Sequence, residues 1–487
     1  MSKRHFQTSW GDARNPLCSL CAMKDRPLMV SRSGFNKDDK RMYELARQAP
    51  DAMASLHPVR IPGLNVEPTI LVGSVMLFAM SAPFALQLAG SGEEGGGQGI
   101  KPYYLYLRIL MTIVFIVWSF KEPERLSAAI KANPWPLALW IFAVLSAMWS
   151  FDPYITLRAA IELFSCVLFS YVLTTRYDSR SIAIMLLHAL GFSLIFSIIW
   201  VGLFPDIAVH GEFDIVQEGH AGSWRGIYYH KNMLGGVAGL AIPLFLGPGR
   251  RLIKGNALLF AYIVSAAVCL IQAKSSGGFS VAVAGALAVS VTSIQSKSAR
   301  TTVLVLGGFA AIVCGVFLDD ISYFVLELLG KDPTFTGRTY LWSAAIDLIG
   351  LHPLIGYGYP SISDPQITSI FMITYNASNA HDAYLQLLIE LGFAGLAIWF
   401  LCLFCAMRGI LRDFSLEEVS PEITLFLAIL FALVISGFGE IAAMSLTTSP
   451  LGMIWLVVSV AAARRNSFGA QPQPDEGLRA SDARASR

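Results

Sequence analysis

Four cations and two histidines stand at the edges of long apolar runs, where side chains can do chemistry at a membrane surface. Arg225, His230 and Lys231 fall within WRGIYYHKN (224–232), with Trp224 beside the arginine. Lys274 follows in QAKSSGG (272–278), Arg338 in GRTYLW (337–342) and His381 in AHDAYL (380–385). A guanidinium presents a planar fork that binds phosphate bidentately and stays charged in any surroundings. Two converging arginines would therefore make a diphosphate clamp. A neutral imidazole near pH 7 can take a proton from a sugar hydroxyl. The plainer alternative for Lys231 and Lys274 is snorkelling to headgroups, and for His381 a capped structural histidine. Arg225 and Arg338 have glycine and aromatic neighbours, which suits a pocket wall better than a generic anchor.

Other chemistry finds no support. Cys18 and Cys21 form a lone CxxC with only His5 nearby, too few ligands for a metal. The remaining cysteines, Cys166, Cys269, Cys314, Cys402 and Cys405, lie in apolar runs and read as small buried residues. GSGEEG (90–95) matches GxGxxG but follows an apolar run rather than a strand, and its glutamates would face a pyrophosphate, so it reads as a flexible outer loop. No Walker A, HExxH or DxD sequence is present, so no metal and no cofactor are expected. Arg158 and Glu162 are spaced for an i,i+4 ion pair. Glu390, nine residues after His381, falls on the opposite side of the same helix, where packing or a hydrogen bond to a neighbouring helix is expected.

The elements that must hold these groups are membrane helices. Of 487 residues, 54% are hydrophobic and 14% charged, and the mean hydropathy is +0.56. That is too apolar for an ordinary soluble domain. A net charge of +2 gives no evidence for a nucleic-acid partner. The fold class expected is all-α and polytopic, with about 12 spans of ~20 residues. They run near 69–90, 103–120, 135–150, 155–174, 182–204, 231–248, 256–272, 278–293, 302–318, 381–406, 421–437 and 443–462. Basic residues collect in alternate loops: Lys121, Arg125 and Lys131; Arg176 and Arg180; Arg250, Arg251 and Lys254; Lys297 and Arg300; Arg408 and Arg412; Arg464 and Arg465. The positive-inside rule places those loops, and both termini, in the cytoplasm. Residues 1–68 are then a poorly ordered cytoplasmic extension without a signal peptide. Residues 69–463 form the membrane domain, and 464–487 a disordered tail. Two opposite loops are long, 205–230 and 319–380, and long loops are commonly functional. The second carries an apolar run, Ala344 to Leu351, expected to fold back on the membrane surface as helix.

RGIYYHKN, GRTYLWSAAIDLIGLHPLIGYGY and HDAYLQLLIELGFAGL, in that order, resemble the signature of the O-antigen ligase and O-antigen polymerase superfamily of bacterial membrane glycosyltransferases. WSFDPYITLRAAIE (149–162) and the His-Lys-Asn form are most similar to the exopolysaccharide polymerase branch. The likeness spans about residues 135–462, including the large loop before the tenth helix. It implies a C-type, metal-independent inverting glycosyltransferase of the bacterial inner membrane, with an undecaprenyl-diphosphate-linked oligosaccharide as donor. Its acceptor would be a lipid-linked chain or lipid A-core. Its other partners would be the bilayer and, within an assembly, chain-length-control and export proteins. Carried to matching positions, Arg225 and Arg338 bind the diphosphate and His381 activates the acceptor hydroxyl. Trp224, His230, Lys231 and Lys274 complete the expected binding set. The family more often has asparagine after that histidine; here it is Asp382, a carboxylate that could raise the pKa of His381. Polymerisation of lipid-linked repeat units is the leading expectation, transfer of O-antigen to lipid A-core the rival, and a transporter or flippase the alternative of another class.

Overall fold

A computed structural model describes residues 68–81, 102–211, 220–294, 296–303, 306, 338–361, 364–375, 379–414, 419–438 and 449–464. Regular structure among them is helical, with one isolated antiparallel bridge, Val209 to Trp224. The expected cytoplasmic extension, the tail and nearly all of the span near 302–318 lie outside the described residues.

Proline sets many of the boundaries. Its fixed φ and missing N–H fit the first turn, where the amide would be unpaired anyway. Thus α1 (Pro68–Ser81), α2 (Pro102–Ser119), α3 (Pro123–Ala132), α5 (Pro153–Arg176), α11 (Pro365–Tyr375), α13 (Pro421–Ser436) and α14 (Pro450–Arg464) each begin at proline. Between them come α4 (Trp135–Leu145), α6 (Ser179–Leu203), α7 (Lys231–Leu246), α8 (Asn256–Ala273), α9 (Ser276–Thr292), α10 (Arg338–Leu351) and α12 (Ala383–Phe414). Side-chain caps fix several starts: Asp152 for α5, Asp178 for α6, His230 for α7 and Ser275 for α9.

Four of these helices, α5, α6, α8 and α12, are long and apolar enough to cross a bilayer. A fifth span is available if α3 and α4, bent by 85°, count as one. Described parts of the other expected spans form shorter apolar helices, so the figure of about twelve remains an expectation. The expected ion pair in α5 forms at the edge of contact, Arg158 Nε to Glu162 Oε1 at 4.0 Å, with Glu162 buried.

Close backbone contact places the N-terminal ends of α7 and α9 together. A Cβ on Gly239 would lie 2.0 Å from the carbonyl oxygen of Gly278, and one on Gly235 would meet Ser275. Small residues permit this approach where neither larger side chains nor water would. The surface helix expected around 344–351 lies within α10. Its Leu341, Ala345, Leu348 and Ile349 form a small core with Ile367 and Phe371 of α11 and Ile389 of α12.

α12 is not continuous. Gly392 adopts φ 63° and ψ −167°, which breaks the helical ladder. Residues 353–358 close the gap. Tyr357 and Gly358 donate their N–H groups to the carbonyls of Ile389 and Glu390 (2.8 and 2.9 Å). Phe393 and Ala394 donate to the carbonyls of Pro353 and Leu354 (2.8 and 3.0 Å). Glu390 finds its side-chain partner on its own helix, where Gln386 Nε2 donates to Oε1 at 3.0 Å, rather than on a neighbour.

Candidate active site

The loop before α7 is held from both sides. Arg225 and Gly226 donate their N–H groups to Ala208 (2.9 and 3.0 Å), and Trp224 donates to Gln272 at the end of α8 (2.9 Å). Gly226 has φ +58°, and a Cβ there would meet Ser197 of α6 at 2.6 Å, so glycine alone fits this turn. Ile227 and Tyr228 are then buried. The loop fixes Arg225 itself, because its Nε donates to the carbonyl of Ile207 at 2.7 Å. One of its five N–H donors thereby orients the guanidinium.

His230, Lys231 and Lys274 meet at the start of α7. His230 caps that helix by accepting the N–H of Asn232 on Nδ1 (3.1 Å). Lys231 is its first residue, and its Nζ lies 3.5 Å from the carbonyl oxygen of Lys274. Lys274 ends α8 in the left-handed region, φ 47° and ψ 41°. Its ammonium reaches back over the loop, 3.8 Å from where a Cβ on Gly222 would sit. Trp224, half-buried, lies on the same loop. The chain thus gathers two cations and a histidine at one helix N-terminus, where the macrodipole already favours an anion.

Two histidines not anticipated from sequence join them. The rings of His210, His220 and His230 lie 5.3–5.9 Å apart in edge-on contacts. His210 is buried, and its Nε2 accepts the N–H of Lys231 at 3.3 Å. No group of His, Cys, Asp and Glu among the described residues is arranged to hold a metal ion. Burial above all, and then His210, His220, His381 and Lys231, push the pKa of His230 down to about 3, so it is neutral at physiological pH. His381 thus lies within electrostatic reach of His230.

His381 sits at φ +49°, an uncommon conformation for a histidine. Its N–H donates to Asn379 Oδ1 at 2.9 Å. Asp382 does not act as a free neighbour of that ring. Its Oδ1 accepts the N–H groups of Tyr384 and Leu385, both at 2.8 Å, and so caps α12. Burial raises the Asp382 pKa, and those two backbone donors oppose the rise.

Arg338 opens α10, but its side chain lies outside the described part of the structure. The backbone nevertheless relates it to His381. Trp342, one turn later on the same helical face, donates Nε1–H to the carbonyl of Ala380 at 3.2 Å. A hydrogen bond therefore joins the helix that Arg338 begins to the residue before His381.

Two comparisons with known proteins bear on the family. The O-antigen ligase family matches residues 260–400, a stretch that contains Lys274, Arg338 and His381 but not Arg225. The chain is 26% identical over 330 residues to the exopolysaccharide production protein ExoQ of Rhizobium meliloti, covering 63% of this chain and 72% of that protein. Over 84 residues it is 33% identical to a candidate polysaccharide ligase of Rickettsia felis, covering 16% of this chain and 20% of that one. The resemblance to the O-antigen ligase and polymerase superfamily is borne out.

Proposed function

We propose that this membrane protein joins undecaprenyl-diphosphate-linked repeat units into an exopolysaccharide at the periplasmic face of the inner membrane. The observation that carries the reading is the gathering of His230, Lys231 and Lys274 at the start of α7, with His381 within electrostatic reach, beside the loop that fixes Arg225. In this reading residues 69–463 are the transferase unit, 205–230 and 319–380 face the periplasm, and 1–68 and 464–487 are cytoplasmic.

The acceptor hydroxyl oxygen forms the new bond to the anomeric carbon as the bond to the donor diphosphate breaks, inverting that centre. The electron pair leaves with the diphosphate, and the hydroxyl proton passes to His381. Charge growing on the leaving oxygen is stabilised by Arg225 and Arg338, with Lys231 and Lys274 nearby, so the step asks for no metal. Fixed cations in a partly dehydrated cleft need little reorganisation as that charge develops. Donor and acceptor both held at one interface lose most of their translational freedom before reaction.

The likeness to an exopolysaccharide production protein over 72% of its length favours polymerisation, while the family match over 260–400 keeps transfer of O-antigen to lipid A-core as the second reading. A deletion strain separates them: single units without long polymer support the first, and intact lipid-linked polymer that never reaches lipid A-core supports the second. A transporter would use a broken helix to offer bare main-chain groups to its solute. Here the groups flanking Gly392 bond instead to residues 353–358.

The direct test is purified protein in detergent with a defined lipid-linked repeat unit, product lengths being read by mass. Elongation without a sealed compartment is expected. Arg338→Lys keeps the charge and removes the fork, so turnover should fall by about 100-fold, the scale for losing a fixed transition-state donor. Undiminished turnover would rule out bidentate diphosphate binding there.

A further inference from the structure

A second charged cluster lies at the other end of α6 from the candidate active site. Glu122, between α2 and α3, gives one oxygen to each of two arginines: Oε2 to Arg125 Nη1 at 3.0 Å and Oε1 to Arg176 Nη1 at 3.1 Å. Arg464, at the end of α14, is only 4% exposed and within electrostatic reach of Arg125 and Glu122. Two guanidinium groups from two elements therefore bond to one carboxylate, and a third lies within electrostatic reach. Of the other acids nearby, Asp178 caps α6 through Ser181 N–H, and Glu124 lines a groove on α3 with Lys131. The Nε and Nη2 atoms of Arg176 are buried without a hydrogen-bond partner among the described residues, and a buried cationic donor is costly unless an anion answers it.

The surroundings say which kind of anion. α3 is bent by 85° from α4, so the two helices cannot both run along the bilayer normal. Leu126 and Ile130 of α3 pack inward, whereas Glu124 and Arg125 are exposed, the pattern of a helix lying at headgroup level. Next to the cluster, Arg176 stands over the ring of Trp118, 5.3 Å from its centroid, and tryptophan favours that depth. Below Trp118, α2 exposes Leu110, Ile113, Val114 and Val117, an i, i+3, i+4, i+7 stripe. A free phosphate would use the arginines and leave that stripe uncovered. A molecule with a phosphate head and acyl tails would use both.

We propose that Arg125 and Arg176, backed by Arg464, bind the phosphate of an anionic phospholipid in the leaflet opposite the candidate active site, with its acyl chains along the exposed face of α2. Basic pockets at helix ends on the cytoplasmic side bind such headgroups. The site needs no glycosyl transfer, so it stands or falls separately from the proposed function.

The test uses full-length delipidated protein returned to phosphatidylcholine vesicles with or without phosphatidylglycerol, read by native mass spectrometry after extraction and by thermal unfolding. Phosphatidylglycerol should be retained and should raise the unfolding temperature. Arg125→Gln, at a half-exposed position, and Arg176→Gln should each weaken retention roughly fivefold, about the contribution of one basic residue near an anionic surface. Lys297→Gln, at another exposed lysine, should leave it unchanged. Equal retention of phosphatidylcholine, equal loss with Lys297→Gln, or full stabilisation by inorganic phosphate alone would each overturn the proposal.

Discussion

His230 caps α7 with a ring nitrogen that must keep its lone pair, so protonation and the cap exclude each other. The folded chain holds its pKa near 3, against about 6.5 for a free imidazole. Between those values the unfolded chain binds more protons, so stability rises with pH through that window and is complete above it. Thermal unfolding followed from pH 7 to pH 5 should show a loss of at most about 1 kcal/mol per pH unit, and His230→Asn, which can still cap, should flatten the slope. An unchanged slope would mean that His230 does not titrate as its surroundings dictate. Arg225, His230, Lys231, Lys274 and His381 were legible in sequence because each sits at an apolar boundary. His210 and His220 were not. No spacing links them to HKN; the bridge from Val209 to Trp224, backbone bonds among His210, His220, Gly222 and Ser223, and the bond from Lys231 N–H to His210 Nε2 bring them in. Asp382 could be read as a perturber of His381 because adjacency in sequence is visible, whereas the direction of its carboxylate depends on where α12 starts.

Helix positions were legible for a physical reason: apolar blocks bounded by proline leave little freedom in where a helix begins. What periodicity could not show was interruption. The stretch near 381–406 reads as one continuous span, yet Gly392 breaks it, and the clasp of residues 353–358 comes from nearly 40 residues upstream. GYGY within IGLHPLIGYGY was visible as part of a resemblance, with no hint of its partner. Alanine at Gly392 would place Cβ 2.4 Å from the carbonyl carbon of Leu354, and at a φ that only glycine adopts cheaply. Gly392→Ala should therefore destabilise the protein by more than about 2 kcal/mol, read as a lowered unfolding temperature in detergent. Gly350→Ala is a fair control, since nothing lies within 4 Å of a Cβ there. If both variants unfold alike, the clasp does not hold α12 together. The bend between α3 and α4 escaped sequence reading for the same reason, because Asn133 and Pro134 mark a boundary without giving its angle.

Across the whole molecule, α6 separates two charged regions by the length of 25 helical residues, about 37 Å, close to a bilayer with its interfaces. At one end stand Arg225, Lys231, Lys274 and His381, the groups proposed to handle a lipid diphosphate. At the other end Arg125, Arg176 and Arg464, taken from three of the loops assigned to the cytoplasm by their basic residues, converge on Glu122. The charge pattern and the fold thus agree on which groups share an end, and the remaining question is which end faces outward. Single cysteines answer it. Tyr229→Cys, at a half-exposed position beside His230, should react with a membrane-impermeant maleimide in intact spheroplasts. Glu124→Cys, on α3, should react only after the membrane is opened; with Cys18, Cys21, Cys314 and Cys405 replaced by serine, the buried Cys166, Cys269 and Cys402 should contribute little background. The reverse labelling would place the histidines and lysines in the cytoplasm, where the proposed extracytoplasmic polymerisation could not occur at this site.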